Sequence, residues 1–330
     1  MKKWILFLSG CCLGVSCRQQ APYYEESGTV FHTYYRIKYQ SEQFLTDKID
    51  AEFQAFNLSL NPFNPNSILA KVNRNEDVEV DEWFATVFNR AMNVSAHSDG
   101  MFDVTTAPLI NLWGFGFERK DSVSPHVVDS LLTFVGYRKI HLENSHVVKD
   151  DPRMMLNFSA IAKGFACDVI AGLLEREGVA NYSVDIGGEV AVNGLNPNGH
   201  CWRIGISKPE DDLYGTNTQM NGIVQLCDKC GMATSGNYRN FYEKDGTRYA
   251  HTIDPRTGYP SRQSILSATI VASDCMTADA YATACMAMGL EKAVQMMEGL
   301  SGIEYYFIHS TPDGQFQVNC SKGMSAILLK

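Results

Sequence analysis

Asp279 and Thr283 stand four residues apart in the stretch Ala278-Asp279-Ala280-Tyr281-Ala282-Thr283-Ala284. On a helix this spacing sets a carboxylate and a hydroxyl on one face, and the alanines around them let a ligand come close. Hard oxygen donors of this kind suit Mg2+, which keeps several waters and completes its shell with substrate phosphate. A buried hydrogen-bonded pair fits the same spacing. In Asn157-Phe158-Ser159-Ala160-Ile161-Ala162-Lys163-Gly164 a strand enters a helix, so first-turn amides and the Lys163 ammonium are placed to meet an anion. The Walker pattern G-x-x-x-x-G-K-S/T is absent. A helix start capped by Ser159 explains the serine but not a lysine amid small residues. His251 lies three residues ahead of the turn Asp254-Pro255-Arg256-Thr257-Gly258, in a position to face a cleft, and imidazole accepts protons near neutral pH. Gly187 and Gly188, in Asp185-Ile186-Gly187-Gly188-Glu189, suit either a bulge or the close approach of a ligand. The loop holding Met101, Phe102 and Asp103, with Asn111-Leu112-Trp113-Gly114-Phe115-Gly116 after it, suits a flat wall for a planar ligand or a cap on the core.

These residues need elements to position them. The pattern predicts a strand over Gly28–Tyr39, a helix over Thr46–Phe56, a loop over 57–66 and a helix over 82–97 ended by Ser98-Asp99-Gly100. A helix over Ser159–Glu177 closes at Gly178. Strands follow at 181–193, 201–207, 222–234, 247–253 and 264–272, with 211–221 a polar insertion. A helix over Met276–Met288 ends at Gly289, and 291–299 is a candidate for one more. Strands grouped by hairpins, with helices between the groups, argue for an α+β fold of mostly antiparallel sheets with packed helices rather than regular βαβ alternation. No linker divides the chain, so one intertwined catalytic unit is expected.

The 330 residues carry a net charge of -9, which excludes a general attraction to nucleic-acid phosphate or anionic lipid; any phosphate must be met locally. Three of the ten cysteines lie in the first 17 residues. Lys2 and Lys3, an apolar run from Trp4 to Leu8, and small residues leading to Cys17 resemble a bacterial lipoprotein signal, far short of the roughly 20 residues of a membrane helix. Residues 1–17 are expected to be signal, with Cys17 lipidated and Cys11 the alternative. Residues 18–27 read as tether and 28–330 as the functional domain. Anchored by lipid alone, the protein would sit on the cytoplasmic membrane facing the periplasm. Cys227 and Cys230 form a lone C-x-x-C, without the second pair or histidines that zinc needs; whether they are bridged stays open. Cys167, Cys275 and Cys285 read as small buried hydrophobes.

Taken in order, these clusters resemble the ApbE family, the FAD:protein FMN transferases. The carriers are G-x-F-D-x-T from Gly100, the Asn111–Gly116 run, Ala-Ile-Ala-Lys-Gly ending at Gly164, and Asp-Ile-Gly-Gly-Glu. Thr234-Ser235-Gly236-Asn237-Tyr238, the His251–Gly258 segment and Ala-Asp-Ala-x-x-Thr complete the set. The resemblance implies FAD as substrate, with its pyrophosphate on Mg2+ held by the Ala160 carbonyl, Asp279 and Thr283. It places Phe31, Phe63, Met101, Phe102, Asp103, Asn157, Lys163 and Ile253 against the FAD, and His251 as the catalytic residue. Phe31-His32-Thr33 stands where many members have Met-Gly-Thr, and Asn157 where many have aspartate. Family acceptors carry an Asp-x-x-Thr/Ser motif and belong to Nqr- and Rnf-type membrane complexes. The same parts would also serve a Mg2+-dependent FAD pyrophosphatase; a flavin-binding lipoprotein without turnover is the third possibility.

Overall fold

Eight strands, lying side by side in the order in which they occur and each antiparallel to its neighbour, make the main sheet of the computed structural model, while the other strands of the chain form separate two-stranded pairs. They are β1 (Tyr23–Val30), β2 (Thr33–Gln40), β3 (Tyr182–Ile186), β4 (Glu189–Asn193), β5 (Cys230–Gly236), β6 (Ile265–Ala272), β7 (Glu304–Ser310) and β8 (Phe316–Cys320). The structure describes residues 21–114, 123–209, 219–236, 241–244, 247–250, 252–261, 264–311 and 315–329. Cys11, Cys17, His251, Phe115, Gly116, Asn237 and Tyr238 lie outside the described residues.

Two sequence expectations are corrected at the amino-terminal end. The sheet begins at Tyr23, so part of the 18–27 segment read as tether is edge strand. The single strand expected over 28–39 is two strands joined by a tight turn at Phe31 and His32, whose φ values of 50 and 61 are left-handed. Two-residue hairpins need that backbone to match the strand twist, and here a phenylalanine, which rarely adopts it, and a histidine, which does so more readily, take it up.

Strand side chains alternate between two covered faces, so the central strands are apolar almost throughout. On one face, Val190, Val192, Met232, Val271, Tyr306 and Ile308 pack against the hairpin Trp202–Ser207/Met220–Leu226 and against Met324 of the C-terminal helix. A disulfide from Cys201 to Cys227 staples that hairpin, which settles the pairing of Cys227 against Cys230; Cys230 keeps a free thiol. On the other face lie α1 (Thr46–Ser59), α2 (Glu82–His97), α3 (Ala162–Arg176) and α4 (Cys275–Met288), around the larger core. Cys167, Cys275 and Cys285 are buried there, as their apolar settings implied. Among the described residues no helix is long and apolar enough to cross a membrane.

Helices α3 and α4 are far apart in the chain yet pack directly on each other. Glycine makes this possible, because a Cβ at Gly164 would run into the Cys275 carbonyl and come within 2.8 Å of the Asp279 Cβ. From the sheet side, a Cβ at Gly231 would likewise meet the Cys275 backbone. The first turn of α4 is therefore pinched between two glycines. Two carboxylates satisfy its free amides: Asp274 accepts from Thr277 N at 2.8 Å, and Asp168 accepts from Cys275 N and Met276 N, each at 2.8 Å. Burial pushes Asp168 up to about 7, against the lowering pull of those two amides.

Candidate active site

One end of the sheet gathers the sequence candidates. The register sets Tyr35 opposite Ile186 and Val190 opposite Met232. The Phe31-His32 turn, the Gly187-Gly188 turn and the far end of β5 therefore share an edge. Gly187 and Gly188 have φ of 68 and 101, and Gly187 N donates to Tyr34 O at 3.0 Å. The paired glycines thus form the β3–β4 hairpin turn. Close approach is also real, since a Cβ at Gly187 would lie 2.9 Å from Thr33 Oγ1 and 3.4 Å from Lys163 Cδ.

Into this corner α3 delivers Lys163. The helix starts at Ala162, three residues later than expected, and Ser159 does not cap it. Asn157 organises the entry instead, its Oδ1 accepting from Ser159 N at 2.8 Å while its own N–H donates to Val104 O at 2.8 Å. Gly164 N donates to Asp279 Oδ2 at 3.0 Å, and the Ala160 carbonyl is left with no backbone donor among the described residues. Lys163 forms an ion pair with Glu189 Oε1. Glu189 is 4% exposed, and its other oxygen, Oε2, is buried without a hydrogen-bond partner. Asp279 is also buried. Burial works against the Lys163 ammonium, but the Glu189 and Asp279 carboxylates outweigh it and push its pKa up. Burial raises both carboxylates, while Lys163 pulls them back. One turn along α4, Thr283 Oγ1 lies 3.2 Å from Ser235 Oγ at the end of β5. This pairing puts the Thr-Ser-Gly motif beside Ala-Asp-Ala-x-x-Thr.

The donor chemistry fits a hard cation. A carboxylate, a hydroxyl and a main-chain carbonyl lacking its helical partner are all oxygens, the set that Mg2+ takes alongside water and phosphate. No three His, Cys, Asp or Glu side chains gather as a ligand cluster among the described residues. A cation here would draw the rest of its shell from substrate and solvent.

The flavin candidates divide into three groups. Phe31 packs its ring on Phe56 at 4.8 Å and on Phe53 at 5.9 Å, whereas Phe63 is 55% exposed and meets the His32 ring edge-on at 5.6 Å. Met101 and Phe102 are buried, and Phe102 belongs to the main core, so a contact made there falls to backbone atoms. Asp103 braces its own loop: Oδ1 accepts from Thr105 N at 2.8 Å and Thr105 Oγ1 at 2.6 Å, and Oδ2 from Tyr137 N at 2.8 Å. Burial raises its pKa against those three donors. Ile253 sits in a small satellite core with Leu109, Leu112, Val128 and Val135. Beside it Trp113 Nε1 donates to Gly258 O at 2.7 Å, and the Trp113 ring stands 5.5 Å from that of Tyr259. The aromatic loop and the Asp-Pro-x-Thr-Gly turn are thereby locked together, which sets the segment that follows His251.

Glu189 is a site residue to which none of the sequence motifs assigns a role. The available signal was a lone carboxylate opening a strand of otherwise apolar residues, Glu189-Val190-Ala191-Val192.

A family model for the ApbE family matches residues 31–307. The chain is 34% identical to the FAD:protein FMN transferase of Vibrio cholerae across the full length of both proteins. It is 33% identical to the protein of that name from Haemophilus influenzae, over 95% of each. Among solved structures, the flavin transferase ApbE of Vibrio cholerae superposes with a TM-score of 0.83 at 34% identity, covering 93% of this chain and 99% of that one. The apo flavinyl transferase ApbE of Pseudomonas stutzeri gives 0.81 at 29% identity, covering 94% and 98%. With its α+β fold, its ordered motifs and these likenesses, the chain belongs to the ApbE family.

Proposed function

We propose that this protein is an FAD:protein FMN transferase, which moves FMN from FAD to a threonine or serine hydroxyl of another protein. The observation that carries the reading is the ion pair of the partly exposed Lys163 with the buried Glu189, beside the buried Asp279 at the end of the sheet, with Thr283 one turn away. Such a corner suits the two phosphates of FAD, and the relatives bear that activity in their names. In the reaction the acceptor hydroxyl oxygen bonds to the FMN phosphorus, the bond from that phosphorus to the bridging oxygen breaks, and AMP departs. Lys163 holds a phosphate oxygen by a charge-assisted hydrogen bond. His251 takes the hydroxyl proton, the role for which a neutral imidazole is suited. Mg2+, held by Asp279, Thr283 and the Ala160 carbonyl, would neutralise the charge that builds on the pyrophosphate oxygens. Trp113 and Phe63 offer ring faces for the isoalloxazine.

The acceptors proposed are exported domains of Nqr- and Rnf-type complexes bearing Asp-x-x-Thr/Ser. The enzyme would be tethered at the outer face of the cytoplasmic membrane through lipid on Cys17, or on Cys11. The Cys201–Cys227 disulfide supports an oxidising compartment.

Purified protein mixed with FAD, Mg2+ and a peptide bearing the acceptor motif should add the mass of FMN to the peptide. His251→Ala should abolish that addition while folding is kept. Free FMN and AMP with an unmodified peptide would replace the transferase by an FAD pyrophosphatase. FAD bound and returned intact would replace it by a binding protein.

A further inference from the structure

Two carboxylates compete for one ammonium in the polar corner. Lys163 is attracted to both, yet its ion pair is with Glu189; among the described residues it makes none with Asp279. Glu189 is otherwise poorly served, because Oε2 is buried without a partner. A buried acid with one oxygen unmatched is a weak source of stability, since desolvation offsets much of the attraction. Its placement demands another reason.

We propose that Glu189 is a positioning residue that holds the Lys163 ammonium off Asp279, so that Asp279 stays available to a divalent cation while Lys163 faces the substrate phosphates. Without Glu189 the ammonium has one buried carboxylate left to pair with, Asp279, and the protein's own lysine then competes with the metal for it. Asp279 is open to such capture: Oδ2 takes the Gly164 amide, and no protein donor among the described residues reaches Oδ1. The inference rests on the reading of Asp279 as a cation ligand.

The test is a double-mutant cycle on Mn2+ binding to the purified protein without FAD, read from the electron-paramagnetic-resonance signal of free Mn2+. Glu189→Gln, which keeps the volume and removes the charge, should weaken Mn2+ at least about tenfold. Lys163→Gln should bind at least as tightly as the wild type, because the competitor is gone. In the Lys163→Gln background, Glu189→Gln should have an effect of threefold or less. Loss of a nearby negative charge alone would weaken Mn2+ by the same factor in both backgrounds, and that result overturns the proposal. So does wild-type affinity in Glu189→Gln, or a tenfold weakening in Lys163→Gln, a variant that leaves Glu189 untouched. Wild-type protein with no affinity for Mn2+, either alone or with FAD present, would remove the cation reading itself and this inference with it.

Discussion

The polar corner and the aromatic edge of the candidate site are held in different ways. Lys163, Glu189 and Asp279 sit on a helix, a strand and a helix whose spacing is set by Gly164; both carboxylates are buried in the core of the fold, and only the Lys163 side chain reaches out, 36% exposed. Phe63 and Tyr259, by contrast, project from turns and keep 55% and 41% of their surface exposed. Where charge must be met, error is expensive and the groups are built in; where a flat ring must be gripped, adaptable loops suffice. A prediction follows for each region, and the contrast fails if the two respond alike.

Asp279→Ala should have the largest effect, lowering transfer to an acceptor peptide about a thousandfold, in line with removing a principal charge-stabilising group. Folding should survive, because Lys163 keeps Glu189; a thermal unfolding curve beside the peptide mass checks both halves. Next, Cys201→Ser with Cys227→Ser should remove about 3 kcal/mol of stability by releasing a loop of separation 26, and transfer measured well below the new melting point should not change. A parallel loss of turnover would tie the hairpin face to the site.

Within α3, Gly164→Ala should destabilise by about 1–3 kcal/mol through overpacking against Cys275 and slow transfer as well. Gly172→Ala, on the same helix with only Arg176 nearby, should stabilise by up to about 1 kcal/mol; denaturant unfolding of the two variants gives the comparison directly. The smallest effect belongs to Phe63→Ala, which should raise the KM for FAD by about tenfold or less while stability moves by less than about 0.5 kcal/mol. A stability loss comparable to that of Gly164→Ala would show the aromatic edge to be core after all.

Much of this was legible beforehand because it rests on local chemistry. Helix α2 ends where Ser98-Asp99-Gly100 said it would, with Asp99 and Gly100 at φ of 50 and 75, and α4 stops at Gly289. The misses share a cause, which is contact between residues distant in sequence. Phe31 and His32 carry no turn signal, yet the pairing of Thr29 with Tyr34 forces the reversal there. Ser159 looks like a cap, but the Asn157 side chain claims the backbone first. The partner of Cys227 is set by a hairpin whose register spacing alone does not give. Glu189 is ordinary until Lys163 arrives from α3.

The strand order bears on how such a chain comes together. Each strand of the main sheet lies next to its predecessor, but the step from β2 to β3 spans residues 41–181, and most of the helical layer is made in between. During synthesis, the β1–β2 ribbon must wait for that whole stretch, with only its own cross-strand bonds to hold it; an isolated two-stranded ribbon is barely stable in water. Its far edge, Thr33–Gln40, stays open until residues 182–186 emerge, a window in which a holding chaperone or a premature neighbour would find an unpaired strand.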